Sequence, residues 1–260
     1  MKAVILCGGK GERLREETEF KPKPLIEIGN MPILWHIMKI YSSYGIKNFI
    51  LLLGYKGYLI KDFFLNFEYM SNDFTLNLRH KNNQISFHNH ENLEDWNITF
   101  LDTGSESNTG ARLARAKDFL QDDDFFLTYG DGLSNVNIDS LYDFHKKKGK
   151  TLTLTGINPS SQYGIIEIQD GIAKSFKEKP RLDGIINGGF FVCNKKIFSY
   201  VDQDEKCVFE EDPMRNLAKN NELAVYLHDG FWAAMDTYKQ VQQLNKLWYA
   251  SVNPPWKNWK

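Results

Sequence analysis

The sequence predicts an α/β fold, with a mostly parallel, mixed central sheet flanked by helices and small β insertions at its periphery. Three observations carry this expectation. The chain opens on an apolar run, Ala3-Val4-Ile5-Leu6, that breaks at once into Gly8, Gly9 and Gly11, as a buried parallel strand does when it enters a tight turn. Short apolar runs over 48–54 and 124–128 repeat the pattern, each too short for a surface helix. Segments of helical periodicity follow the first two strands, and strand–helix alternation winds a parallel sheet right-handedly.

The elements follow in order. Pro32 precedes Ile33, Leu34, Ile37, Met38 and Tyr41 at helical spacing, with Gly45 as the stop. After the strand over 48–54, helical spacing resumes over 55–67 through Tyr58, Leu59, Phe63 and Phe64. Residues 71–94 break the rhythm: 74–78 and 85–88 alternate like short exposed strands about an Asn82-Asn83 turn, so an inserted hairpin is expected. A strand over 97–101 ends at Asp102-Thr103-Gly104, and Thr109-Gly110 opens a helix through Leu113 to Leu120. The strand over 124–128 ends in Tyr129-Gly130-Asp131-Gly132. In the second half, strands are expected at 151–155, 165–168, 173–176, 186–192 and 223–227, and helices at 212–219 and 238–249. The tail, Pro254-Pro255-Trp256-Lys257-Asn258-Trp259, is too aromatic for a solvated end and is expected to dock. No repeat, low-complexity segment or linker interrupts residues 1–260, so one continuous domain is expected.

Composition excludes several classes. A net charge of −1 gives no field for non-specific binding to nucleic acid or membrane, so any anion site must be local. Cys7, Cys193 and Cys207 are too few and too scattered for a disulfide framework or a zinc site. No apolar run approaches the ~20 residues that span a bilayer. The opening lacks a charged-then-apolar leader, and a cytoplasmic location is expected.

The glycine loop followed by spaced cations points to phosphate groups, because its backbone can approach an anion closely. It is not a dinucleotide fingerprint, since Leu14 stands where the last glycine or alanine belongs and no acidic ribose ligand follows the second strand. Nor is it a P-loop, for no Gly-Lys-Ser/Thr follows. By itself it could equally be a tight turn. Lys10 to Lys23 holds five basic residues and four acidic ones, and for Lys10 and Arg15 a solvated mixed-charge surface is the better reading. Arg13 lies just past the glycines, and Lys23 is fixed between Pro22 and Pro24. Asp131, at the carboxyl end of a buried strand, faces the crevice where such sheets bind ligands. It is a turn residue or a Mg²⁺ ligand, and Mg²⁺ takes one or two carboxylates plus phosphate oxygens. Asp236, just before the last helix, is the best second carboxylate; its ordinary role there is an N-cap.

Gly8-Gly9-x-Gly11-x-Arg13-Leu14 followed by Lys21-Pro22-Lys23-Pro24 resembles the signature of the sugar-phosphate nucleotidylyltransferases. The resemblance continues in order through 32–38, 54–58, Asp102-Thr103-Gly104, 128–132, Phe176-Lys177-Glu178-Lys179-Pro180, 187–191 and Pro255-Trp256-Lys257. It implies a single Rossmann-like domain of the nucleotide-diphospho-sugar transferase type. Residues 1–135 would form the nucleotide-binding half, and 136–260 the sugar-phosphate half with its C-terminal helix and tail. The implied substrates are CTP and glucose 1-phosphate, with Mg²⁺ as cofactor. The sugar phosphate attacks the α-phosphorus, pyrophosphate leaves, and no covalent protein intermediate forms.

On this resemblance Arg13, Lys23 and Asp131 are catalytic, and Asp131 and Asp236 share the metal. The nucleotide contacts are Leu6, Gly8, Gly9, Gly11, Glu12, Arg13, Thr103, Arg112, Tyr129 and Gly130. Arg112 is otherwise a solvent-facing helix residue. Glu178, Lys179, Asn187 and Gly188 would contact the sugar phosphate; otherwise they are a turn before Pro180 and the start of a strand. Cys7, Lys10, Glu12 and Gln162 depart from the family pattern. The tail and the 71–94 insertion are candidate contact surfaces of a homo-oligomer, which the resemblance also implies.

Overall fold

The computed structural model describes residues 1–78, 84–88, 93–120, 123–159, 164–178, 180, 184–250 and 253–259. Its main sheet has eight strands: β1 (Lys2–Leu6), β2 (Asn48–Leu53), β3 (Asn97–Asp102), β4 (Asp124–Tyr129), β5 (Leu152–Ile157), β6 (Ile186–Asn187), β7 (Phe191–Asn194) and β8 (Leu223–His228). β1 lies between β2 and β4 and is parallel to both, with Val4 opposite Ile50 and Leu127. β3 adds in parallel beyond β2. On the other side β7 runs antiparallel to β4 and β5, while β8 is parallel to β5. The sheet is thus mostly parallel, as expected.

Burial of the central strands on both faces explains their unbroken apolar runs. Ala3 and Ile5 point to one face with Phe49, Leu51 and Phe126; Val4 and Leu6 point to the other with Ile50, Leu52 and Leu127. The first face is covered by α1 (Ile33–Ser42), α2 (Gly57–Leu65), α4 (Ile138–Lys148) and α6 (Tyr238–Ala250). The second carries α3 (Thr109–Arg115) and α5 (Asp212–Lys219).

Several elements differ from expectation. The expected 186–192 strand is split into β6 and β7 by Gly188-Gly189-Phe190, where Gly189 and Phe190 take φ of 73° and 46°. α4 was not anticipated. Asn137 caps it by accepting from the Ser140 amide at 2.8 Å, yet it buries only Ile138, Leu141 and His145. A two-stranded ribbon pairing Gly132–Ser134 with Trp232–Ala234 was also missed. The expected hairpin forms from Phe74–Asn77 and Gln84–Phe87, paired antiparallel; its Asn82-Asn83 turn lies outside the described residues.

The tail docks on the chain itself. Trp256 is fully buried, stacked on Phe231 and Trp248, with its Nε1 donating to His36 Nδ1 at 3.4 Å. That leaves His36 Nε2 as the proton-bearing nitrogen, donating to the Ile28 carbonyl at 2.8 Å.

Candidate active site

After β3 the chain crosses to the far side of β1, so the carboxyl ends of β1 and β4 form the switch point where open α/β sheets bind ligands. A cleft of about 550 Å³ opens there. It is lined by Leu6, Gly8, Gly9, Gly11, Glu12 and Arg13 from the first loop, by Lys23, and by Tyr129, Gly130 and Asp131 from the end of β4. Sequence positions far apart thus meet as expected. Gly11 sits at φ 65°, where a side chain would be strained and a Cβ would press within 2.7 Å of the Thr18 methyl.

Arg112 lines the cleft from α3, and it is not the solvent-facing residue that remained the alternative, being only 3% exposed. Its Nη1 donates to the carbonyls of Leu53 at 3.0 Å and Gly104 at 2.7 Å and to Thr103 Oγ1 at 2.8 Å. Its Nη2 donates to the Gly8 carbonyl at 2.9 Å. The guanidinium lies flat on Gly8, where a Cβ would stand 2.2 Å from its carbon. Burial and the neighbouring Arg115 charge lower its pKa. A positive charge is thus fixed beside the cleft by neutral acceptors. Thr103 is buried behind it, donating to Leu53 O at 2.6 Å, and reaches the cleft only through Arg112.

Lys23 begins a 3₁₀ turn, Lys23–Leu25, after an extended Pro22. Its ammonium lies 2.5 Å from Asp131 Oδ2 and 2.7 Å from Asp236 Oδ1, and Arg13 Nη2 is 3.0 Å from that same Asp236 oxygen. Backbone pairing brings the aspartates together: the Met235 amide donates to the Asp131 carbonyl at 2.9 Å, continuing the ribbon between Gly132–Ser134 and Trp232–Ala234. Asp236 does not act as the helix cap. Thr237 Oγ1 accepts from the Gln240 amide at 3.4 Å and Gln240 Oε1 accepts from the Thr237 amide at 2.9 Å, a reciprocal capping box. The Asp236 carboxylate therefore stays with Lys23 and Arg13.

Asp236 also lines a second, larger cleft of about 890 Å³, together with Trp232, His228, Gln240 and Ile186. Gly188 borders this region, its carbonyl accepting from Trp232 Nε1 at 2.7 Å. Asn187 Nδ2 donates to the Tyr129 hydroxyl at 3.1 Å, and that hydroxyl donates to Glu210 Oε1 at 2.6 Å. Burial first, then the Glu210 charge, raises the Tyr129 pKa, so it remains a phenol. Burial likewise keeps Cys7 a thiol. Glu178 lies on Ile172–Lys177's trailing edge, with Oε2 3.1 Å from where a Gly164 Cβ would sit, apart from either cleft lining. Lys179 and Gln162 lie outside the described residues.

Sequence reasoning missed Lys10, Ser105, Glu106, Ser107, Asn108 and Thr109, all of which line the first cleft. The run of small polar residues between Asp102 and α3 was the available signal. Glu210, which also accepts from Thr109 Oγ1 at 2.6 Å, gave none.

A model of the nucleotidyl transferase family matches residues 2–248. A probable glucose-1-phosphate cytidylyltransferase of Bacillus subtilis (strain 168) is 51% identical over 259 residues, covering 100% of both chains. The glucose-1-phosphate cytidylyltransferase of Salmonella typhi is 47% identical over 262 residues, again with 100% of each covered. The crystal structure of HddC from Yersinia pseudotuberculosis has a TM-score of 0.66 over 94% of this chain and 98% of that one, at 21% identity, a likeness of fold alone. With a full-length match added to a glycine loop and paired aspartates at the sheet's switch point, this chain belongs to the nucleotidyl transferase family.

Proposed function

We propose that this chain transfers a cytidylyl group from CTP to glucose 1-phosphate, giving CDP-glucose and pyrophosphate. The observation that carries the reading is the Lys23 ammonium bridging Asp131, on the wall of the first cleft, and Asp236, on the wall of the second. A donor in the first cleft and an acceptor in the second would meet at that cation. Residues 1–135 then supply the nucleotide half, and 136–260 supply most of the acceptor half.

An oxygen of the sugar phosphate attacks the α-phosphorus, and the bond from that phosphorus to the β-phosphate bridging oxygen breaks. The attacking phosphate is already an anion, so no proton need be removed and no protein nucleophile is needed. Catalysis reduces to aligning the two phosphates and neutralising their charge. The loop amides and Arg13 hold the triphosphate, Arg112 adds a fixed positive charge beside it, and Lys23 stabilises the phosphate oxygens at the reacting centre. Asn187 holds the hydroxyl of Tyr129, on the wall of the first cleft. Lys179, Asn187 and Gly188 remain our assignments for the sugar phosphate by resemblance; Glu178, assigned with them, lies apart from both cleft linings.

Asp131 and Asp236 suit a hard cation. Both carboxylates lie on the Lys23 ammonium, which would shift towards the phosphates as they take the ion, and no set of three or more His, Cys, Asp or Glu converges among the described residues. That donor set matches Mg²⁺, which completes its shell from phosphates and water. A bound Mg²⁺ would supply charge neutralisation on phosphate oxygens.

Among the described residues no helix is long and apolar enough to cross a membrane; a cytoplasmic location is kept as part of this proposal. A homo-oligomer would cover the exposed Phe74 and Leu76 of the inserted hairpin, and sedimentation velocity would measure it. The deciding assay is pyrophosphate release from CTP and glucose 1-phosphate with Mg²⁺, against UTP and dTTP. Turnover no faster with CTP than with those controls defeats the reading. Asp131→Asn is expected to abolish Mg²⁺-dependent turnover; retained activity removes Asp131 from the metal site.

A further inference from the structure

The cations of the first cleft are held with unequal firmness. Lys23 is only 12% exposed and shared by two carboxylates, and Arg112 is buried on backbone carbonyls. Lys10 is different. It stands between Gly9 and Gly11 and reaches across the mouth of the cleft to Glu106, with Nζ 2.7 Å from Oε2. Both side chains are open to solvent, at 44% and 62% exposure, and such a pair is weak. Each partner shifts the other, the ammonium upward and the carboxyl downward, through that shared hydrogen bond.

Charge in the cleft sharpens the point. Lys10, Arg13, Lys23 and Arg112 face Glu12, Glu106 and Asp131, a near balance before any triphosphate enters. A carboxylate at the mouth repels an incoming polyanion. Glu106 is tolerable there as the counter-ion of Lys10, and the two part when a stronger anion arrives. A charge-assisted contact to phosphate outweighs an exposed lysine–carboxylate pair.

We propose that Lys10 is a phosphate-binding residue held in reserve by Glu106, exchanging that carboxylate for the outer phosphates of the bound nucleotide. The outer phosphates are assigned to it because Lys23 and the aspartates are paired with one another at the proposed reacting centre, whereas Lys10 pairs with Glu106 on the loop before α3. The inference rests on the reading that this cleft takes CTP. It reverses the sequence-based assignment of Lys10 to a solvated surface.

The test is calorimetric affinity for CTP, CMP and inorganic pyrophosphate in wild type, Lys10→Met and Glu106→Gln. Lys10→Met is expected to weaken CTP and pyrophosphate roughly tenfold while leaving CMP within about twofold, in line with one charge-assisted contact. Glu106→Gln is expected to tighten CTP roughly threefold, since an exposed competing carboxylate is removed. A purely structural strap predicts the opposite sign for Glu106→Gln: both variants would bind CTP more weakly, and CMP would weaken with it. Unchanged CTP affinity in Lys10→Met, or an unchanged or weaker one in Glu106→Gln, overturns the proposal. Wild type that binds pyrophosphate but not CTP strikes the CTP reading instead, and pyrophosphate affinity in Lys10→Met still tests Lys10.

Discussion

Replacing Lys23 by methionine separates chemistry from folding. The ammonium makes two short contacts, 2.5 Å to Asp131 and 2.7 Å to Asp236, and the side chain is 12% exposed. In the free protein its loss removes two charge-assisted hydrogen bonds. The carboxylates left behind are 31% and 23% exposed, so water recovers much of their solvation. We expect a net cost of about 2 kcal/mol, equivalent to roughly 4–8 °C in melting temperature for a chain of this size. At the transition state a donor aimed at developing phosphate charge is lost, which costs about 10²–10³ in kcat. Pyrophosphate release gives kcat, and differential scanning fluorimetry gives the melting temperature. A variant within tenfold of wild-type kcat whose melting temperature has fallen by more than about 10 °C would refute the assignment and make Lys23 a structural residue.

Gly8→Ala is expected to raise KM for CTP roughly tenfold or more and lower the melting temperature by several degrees, as overpacking does. Its Cβ would fall 2.2 Å from the Arg112 guanidinium, which five acceptors hold in place. Gly9→Ala meets nothing within 4 Å and should melt within about a degree of wild type, as surface changes do. Burial pushes the His36 pKa down to about 4, against about 6.5 in the unfolded chain. The unfolded state takes up that proton first, so stability is full above about pH 6.5 and falls as pH drops toward 4, by at most about 3 kcal/mol. Denaturant melts from pH 7.5 to 4.5 should show this slope, flattened in His36→Gln; equal slopes would refute it.

The central strands were legible because burial on two faces forces apolar side chains at every position of β1 and β2 after the first. α4 was not, because a helix that buries only Ile138, Leu141 and His145 among lysines and aspartates leaves a thin stripe. Ribbons of two or three residues are too short to show any period, so the pairing that joins Asp131 to Asp236 was invisible although both aspartates were found. Lys10 is solvent-exposed, as read, but charge counting did not give its partner, Glu106, which lies on another loop. Arg112 was assigned to the nucleotide by resemblance, but its burial was not legible, because most of its acceptors are backbone carbonyls, of Gly8, Leu53, Gly104 and Ser105, which have no signature in side-chain identity.

The two aspartates owe their positions to backbone, not to the lysine between them. Asp131 follows directly on β4, and its carbonyl is held by the Met235 amide. Asp236 is fixed by that same pairing and by Gln240 Oε1, which accepts from its amide at 2.7 Å. The geometry of the carboxylates therefore survives removal of the ammonium, and so does their capacity to hold a divalent ion. The opposite holds for Arg112, which ties the ends of β1, β2 and β3 through carbonyls and cannot move without moving the glycine loop. Charge at the reacting centre is thus separable from the fold, while charge beside the glycine loop is part of it. Substitutions of Lys23 should act mainly on kcat, and substitutions around Arg112 on KM and stability together.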